Sequence, residues 1–73
     1  MSGSIPVFID DRKVEVSAGT TAEAAVRLCD ERAAEALALG KAYLTDGRGI
    51  RLEPGTVVRA GAIVRVVMAS PRG

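Results

Sequence analysis

Few residues of this chain are of a type that does chemistry. There is no histidine, and Cys29 is the one cysteine. Histidine is the commonest acid–base catalyst and metal ligand near neutral pH, and the chain must do without it. A single thiol excludes an internal disulfide and a thiolate metal site built from this chain alone. It also excludes a two-iron two-sulfur cluster, which needs four such ligands. Cys29 lies on an apolar stripe and reads as a small core residue, not a nucleophile. Asp46-Gly47-Arg48-Gly49 has glycines but not the strand–loop–helix setting of a phosphate loop, so it reads as a turn. Catalytic residues and metal ligands are both expected to be none, and the chain is not expected to be an enzyme.

What remains is the carboxylate of Gly73. Residues 69–73 (Ala-Ser-Pro-Arg-Gly) follow a strong strand, and their proline cannot donate to a sheet ladder. They read as a flexible tail, and residues 1–68 as the single domain that carries it. Five extended residues reach at most ~17 Å, enough to enter a narrow site of another protein. A terminal glycine presents no side chain there. Arg72 beside it reads either as a contact to a carboxylate or as a solvated charge. The plain alternative is that Gly73 is only where the chain stops.

The elements that must position this tail follow from pattern. Ile5, Val7 and Ile9 alternate with Pro6, Phe8 and Asp10, which describes a half-buried strand. Pro6 implies an end or an edge there. Asp10-Asp11-Arg12 is a turn, and Lys13–Ser17 alternates again with Val14 and Val16 inward, completing a hairpin. Thr20 followed by Glu23 fits a capping box. Ala22, Ala25, Val26, Cys29, Ala33, Ala36 and Leu37 then recur at helical spacing. Asp30 could divide this stretch into two helices in series, or residues 36–39 could already be extended. Gly40 is a helix stop. Lys41–Thr45 and Ile50–Leu52 read as short strands around the Asp46–Gly49 turn. Glu53-Pro54-Gly55 turns again, Thr56–Arg59 is ambiguous, and Ile63–Met68 is the last and longest strand.

A helix crossing over after a hairpin packs on one face of the sheet, and the last strand most simply runs parallel beside the first. The expected fold is an α+β roll: a mixed four- to five-stranded sheet with one main helix packed on one face. Alternation in the last strand assigns Val64, Val66 and Met68 to the core. Ile63, Arg65 and Val67, with Phe8 from the first strand, are left outside as an apolar patch with a basic centre, a pattern that marks partner sites.

Composition limits the partners. The formal charge is +1, which leaves no electrostatic footprint for nucleic acid or an acidic membrane. Phe8 and Tyr43 are the only aromatic residues, too few for a base-stacking platform. No run approaches the roughly 20 apolar residues of a membrane span, and no basic residue precedes Arg12, so no secretory signal is expected. The expected compartment is the cytoplasm.

The hairpin IPVFIDDRKVEV, the AGTT lead into a helix, the YLTDGRGIRL hairpin and the AGAIVRVV strand before a Gly-terminated tail resemble the β-grasp, ubiquitin-like superfamily over nearly the whole chain. That superfamily includes bacterial ubiquitin-like modifiers and the sulfur carriers of thiamine and molybdopterin synthesis. The resemblance implies that Gly73 is adenylated by an activating enzyme using MgATP, with no cofactor bound by the chain itself, and then passed on as a thioester or thiocarboxylate. A modifier of this kind implies a conjugating enzyme and a deconjugating protease as further partners. Lys13 and Lys41, the only lysines, are then the possible isopeptide acceptors for chains. The resemblance also maps Arg65 and Val67 onto the outer sheet face that recruits partners in ubiquitin. The family usually ends Gly-Gly, whereas this chain ends Arg72-Gly73, a departure that fits a divergent modifier better than a sulfur carrier. A non-covalent module binding through the outer sheet face is the third expectation.

Overall fold

The computed structural model describes residues 3–69. The element order is β1 (Ser4–Ile9), β2 (Arg12–Ser17), α1 (Ala22–Cys29), α2 (Glu31–Ala38), β3 (Ala42–Thr45), β4 (Arg51–Leu52) and β5 (Ile63–Met68). The five strands form one mixed sheet in the order β2-β1-β5-β3-β4, with β1 and β5 parallel and the other pairs antiparallel. Both helices lie on one face, α1 against β1 and β2 and α2 against β3. The architecture is α+β, with two helices in series where one main helix was expected.

The first hairpin closes through Asp10 and Asp11, with φ of 50° and 71°. Positive φ at both central residues is the type I′ geometry, whose twist matches that of the strands it joins. Pro6 does not sit on an outer strand, since β1 is flanked by β2 and β5. It sits where the parallel ladder has not yet begun, because that pairing starts at Phe8 and Ile63. The missing N–H therefore costs no ladder bond.

The α1 cap differs from expectation by one residue. Thr21 is the N-cap, its hydroxyl accepting from the Ala24 N–H at 3.2 Å. The competing partners come from the segment read as ambiguous. Carbonyls of Thr56 and Pro54 accept from the Ala22 and Glu23 N–H groups, and the Thr20 carbonyl accepts from Val58 N–H. The first turn of α1 thus finds acceptors for its orphan donors in a distant loop, and no Thr20–Glu23 box is needed. Asp30 ends α1 and caps α2, its carboxylate accepting from the Arg32 and Ala33 N–H groups. Residues 36–38 are helical, so the extended alternative does not hold. Gly40, at φ 76°, closes α2 with N–H bonds from Gly40 to Leu37 and from Lys41 to Ala36, the paired pattern of a Schellman motif.

The core lies between sheet and helices. Val7, Ile9, Val16, Leu44 and Val64 come from the strands, Ala22, Ala25, Val26 and Ala34 from the helices, and Val58 from the docked loop. Alanine at the helix contacts lets the short helices approach a sheet faced with branched side chains. Of the three β5 residues assigned inward, Val64 is buried and Val66 half-buried, but Met68 is 64% exposed. Alternation does place Met68 on the inner face, opposite Ala42. Met68 lies four residues beyond Val64, the last β5 residue paired with β1. Cys29 is half-buried against the core, not enclosed by it.

Candidate functional site

Residues paired across neighbouring strands share a face, and faces alternate along each strand. The register therefore assembles the outer surface directly. Phe8 stands opposite Ile63, Thr45 opposite Arg65, and Tyr43 opposite Val67. All four residues expected on this face, Phe8, Ile63, Arg65 and Val67, are brought together on it. Phe8 is 36% and Ile63 45% exposed; Arg65 is exposed and Val67 half-buried.

The structure adds members that the sequence did not suggest. Arg51 on β4 holds its guanidinium 4.7 Å from the centre of the Tyr43 ring, within range of a cation–π contact. Thr45 is buried on this face and its hydroxyl donates to the Asp46 carbonyl. Only the antiparallel pairing of β3 with β5 places Tyr43 here, and a strand read alone does not reveal its partner. The result is an apolar strip along β1 and β5 carrying the positive charges of Arg65 and Arg51.

Ile63 is also where this face meets a groove. The groove, of about 410 Å³, runs between the Asp46–Leu52 hairpin and the 56–64 segment, with Leu52, Val57, Val58, Ala62 and Ile63 in its walls. Its floor is apolar, and Asp46 and Arg59 supply its charge. Gly47 belongs to the same corner: a methyl group there would come within 3.3 Å of Ile63 Cδ1. The glycine lets the turn lie close against the Ile63 side chain.

Asp46 organises that turn. Its Oδ1 accepts the N–H of Arg48 at 2.8 Å and of Ile50 at 2.9 Å. These bonds hold its carboxyl below the usual value of 3.8. The Ile50 bond contributes most; Arg48 assists through its N–H and its charge, and desolvation opposes. The arrangement is an Asx turn that fixes the β3–β4 connection.

The exit of β5 is defined as far as Ala69. That residue is exposed, and its N–H donates to the Lys41 carbonyl at 2.8 Å. The expected site residues Arg72 and Gly73 lie outside the described residues. Lys13 on β2 and Lys41 before β3 are both exposed. Among the described residues no three Cys, Asp or Glu side chains group so as to hold a metal ion, and no helix is long and apolar enough to cross a membrane. The chain matches no known family model and no curated protein.

Proposed function

We propose that the chain is a β-grasp, ubiquitin-like protein modifier, activated at the Gly73 carboxylate by a partner enzyme. The observation that carries this reading is the place of β5. It is the central strand of the β2-β1-β5-β3-β4 sheet, held by β1 on one side and β3 on the other. A strand anchored on both edges gives residues 69–73 a rigid base. The exposed Ala69 begins that segment at one end of the sheet.

In the proposed reaction a Gly73 carboxylate oxygen attacks the α-phosphorus of MgATP held by the activating enzyme, and pyrophosphate leaves. A thiolate of that enzyme then attacks the acyl adenylate and AMP leaves, giving a thioester. Transfer to an amine forms the amide and releases the thiol. The body contributes recognition, and its outer face with Phe8, Ile63, Arg65 and Val67 is the surface offered to the enzymes.

The test is intact mass of the protein and its adducts from its native cells, with and without deletion of Gly73. A covalent adduct on another protein, lost on deletion, supports the modifier. Exchange of one carboxylate oxygen for sulfur supports the sulfur carrier in its place. Unmodified protein alone, in cells where the neighbouring genes are expressed, overturns both.

The adjacent exposure of Phe8 and Ile63 favours a second reading, a non-covalent module that binds through the outer face. In that case Gly73 deletion leaves binding intact, whereas Arg65→Glu with Val67→Glu abolishes it.

A further inference from the structure

Among the described residues, β2 is an outer strand of the sheet, with β1 on one side only. The direction of each of its peptide groups can be assigned. In β1, the Phe8 and Asp10 N–H groups donate to the Ala62 and Val64 carbonyls, and the Pro6 carbonyl accepts from Gly61. Even-numbered residues of β1 thus face β5. Peptide groups alternate along a strand, so Ile5, Val7 and Ile9 face β2, where they meet Val16, Val14 and Arg12. Lys13 and Glu15 consequently turn their N–H and C=O groups to the open edge. The next carbonyl in that row, Ser17, is taken by the Thr20 N–H at 3.1 Å.

Charged side chains commonly guard such an edge against strand pairing. Lys13 and Glu15 are both charged and exposed, but their order makes them self-complementary. Two copies pairing antiparallel must set outward-facing residues opposite one another. A register centred on Lys13 faces lysine with lysine, and one centred on Glu15 faces glutamate with glutamate. A register centred on Val14 sets Lys13 of each copy opposite Glu15 of the other, twice. It also sets Val14, half-buried on the helix-bearing face, against its own copy. Like charges directly opposite are destabilising and opposite charges favourable, so charge selects the third register.

We propose that two copies of this chain join through the β2 edges with the two-fold axis at Val14, making one continuous sheet. Each Lys13–Glu15 pair exchanges both peptide hydrogen bonds. Within one copy the Glu15 Oε1 accepts from the Ser4 hydroxyl at 3.0 Å, and Oε2 is the atom that meets Lys13 of the other copy. The two outer faces then lie on the same side of the doubled sheet. This inference does not rest on activation at Gly73.

The test is sedimentation velocity across a concentration series up to about 1 mM. It compares the wild type with Lys13→Glu, Glu15→Lys and the double exchange, with circular dichroism to follow the fold. The wild type forms a dimer. Each single reversal turns two opposite-charge pairs into two like-charge pairs and weakens it roughly tenfold to hundredfold. The double exchange restores it, and an equimolar mixture of the two single variants forms a mixed dimer. A monomeric wild type, including one whose β2 edge instead takes a peptide of another protein, overturns the proposal. So does a dimer indifferent to the single reversals, or a double exchange that stays monomeric.

Discussion

The Asp10 carboxylate accepts the backbone N–H of Val66 at 3.0 Å, across 56 positions of sequence. Asp10 is a turn residue of the first hairpin, and its own N–H already donates to Val64. Its side chain therefore continues the β1–β5 ladder one step past the end of β1. The same residue accepts positive φ, which aspartate tolerates better than most, and so serves both the turn and the central seam.

Replacing Asp10 separates these roles. Asp10→Ala loses the acceptor and keeps the strain of positive φ, costing about 1–3 kcal/mol in urea unfolding. Asp10→Gly loses the acceptor but relieves the strain, and falls between Asp10→Ala and the wild type. Asp10→Asn retains an acceptor oxygen and stays closest to the wild type. Equal stability of Asp10→Ala and Asp10→Gly would show that φ contributes nothing.

Gly40→Ala tests the end of α2. Apart from its chain neighbours, no atom of the described residues lies within 4 Å of the added methyl group, so any loss comes from the φ of 76°. Unfolding in urea should show a loss of about 1–2 kcal/mol.

Two neighbouring positions of the inner face should respond differently to truncation. Leu44, almost fully buried, should lose about 2–5 kcal/mol as Leu44→Ala. That is a large part of the ~4–11 kcal/mol expected for a domain of this size. Met68→Ala, at an exposed position on the same face, should stay within about 0.5 kcal/mol of the wild type. Thermal or urea denaturation of the pair checks this contrast.

Asp46 makes stability depend on acid. Its folded carboxyl titrates below the usual 3.8. The charged form therefore favours folding above that pH, and the contribution is lost as pH falls through the folded value. Asp46→Ala should lower Tm at neutral pH, with the gap to the wild type narrowing below 3.8. Melting curves over that range measure it, and a gap independent of pH would refute the charge–turn coupling.

Local signals were legible where a residue's role depends on its near neighbours. Asp30 as the cap of a second helix, Gly40 as a stop and Asp46–Gly49 as a turn all follow from chemistry within a few residues. The β5 limits follow from a run of branched residues between Gly61 and Pro71. Thr21 displaced Thr20 as cap because the carbonyls of Pro54 and Thr56, remote in sequence, reach the first turn of α1. Met68 has the parity of a core residue, but burial also depends on where the neighbouring strand ends, and β1 stops opposite Val64. The outer face was legible in Phe8, Ile63, Arg65 and Val67 from alternation together with the expected parallel pairing of the first and last strands. Tyr43 and Arg51 joined it only once strand order was known.

The parallel seam between β1 and β5 has a consequence for synthesis on the ribosome. β1 and β2 can close their hairpin as soon as both emerge. The other edge of β1 must wait for Ile63–Met68, and so must one edge of β3, whose other edge pairs with β4. Until then nascent chains carry unpaired strand edges, the feature most prone to association between neighbouring polypeptides. With its central contacts so far apart in sequence, the domain should complete its fold only after β5 has emerged and gain little from the early emergence of its first hairpin.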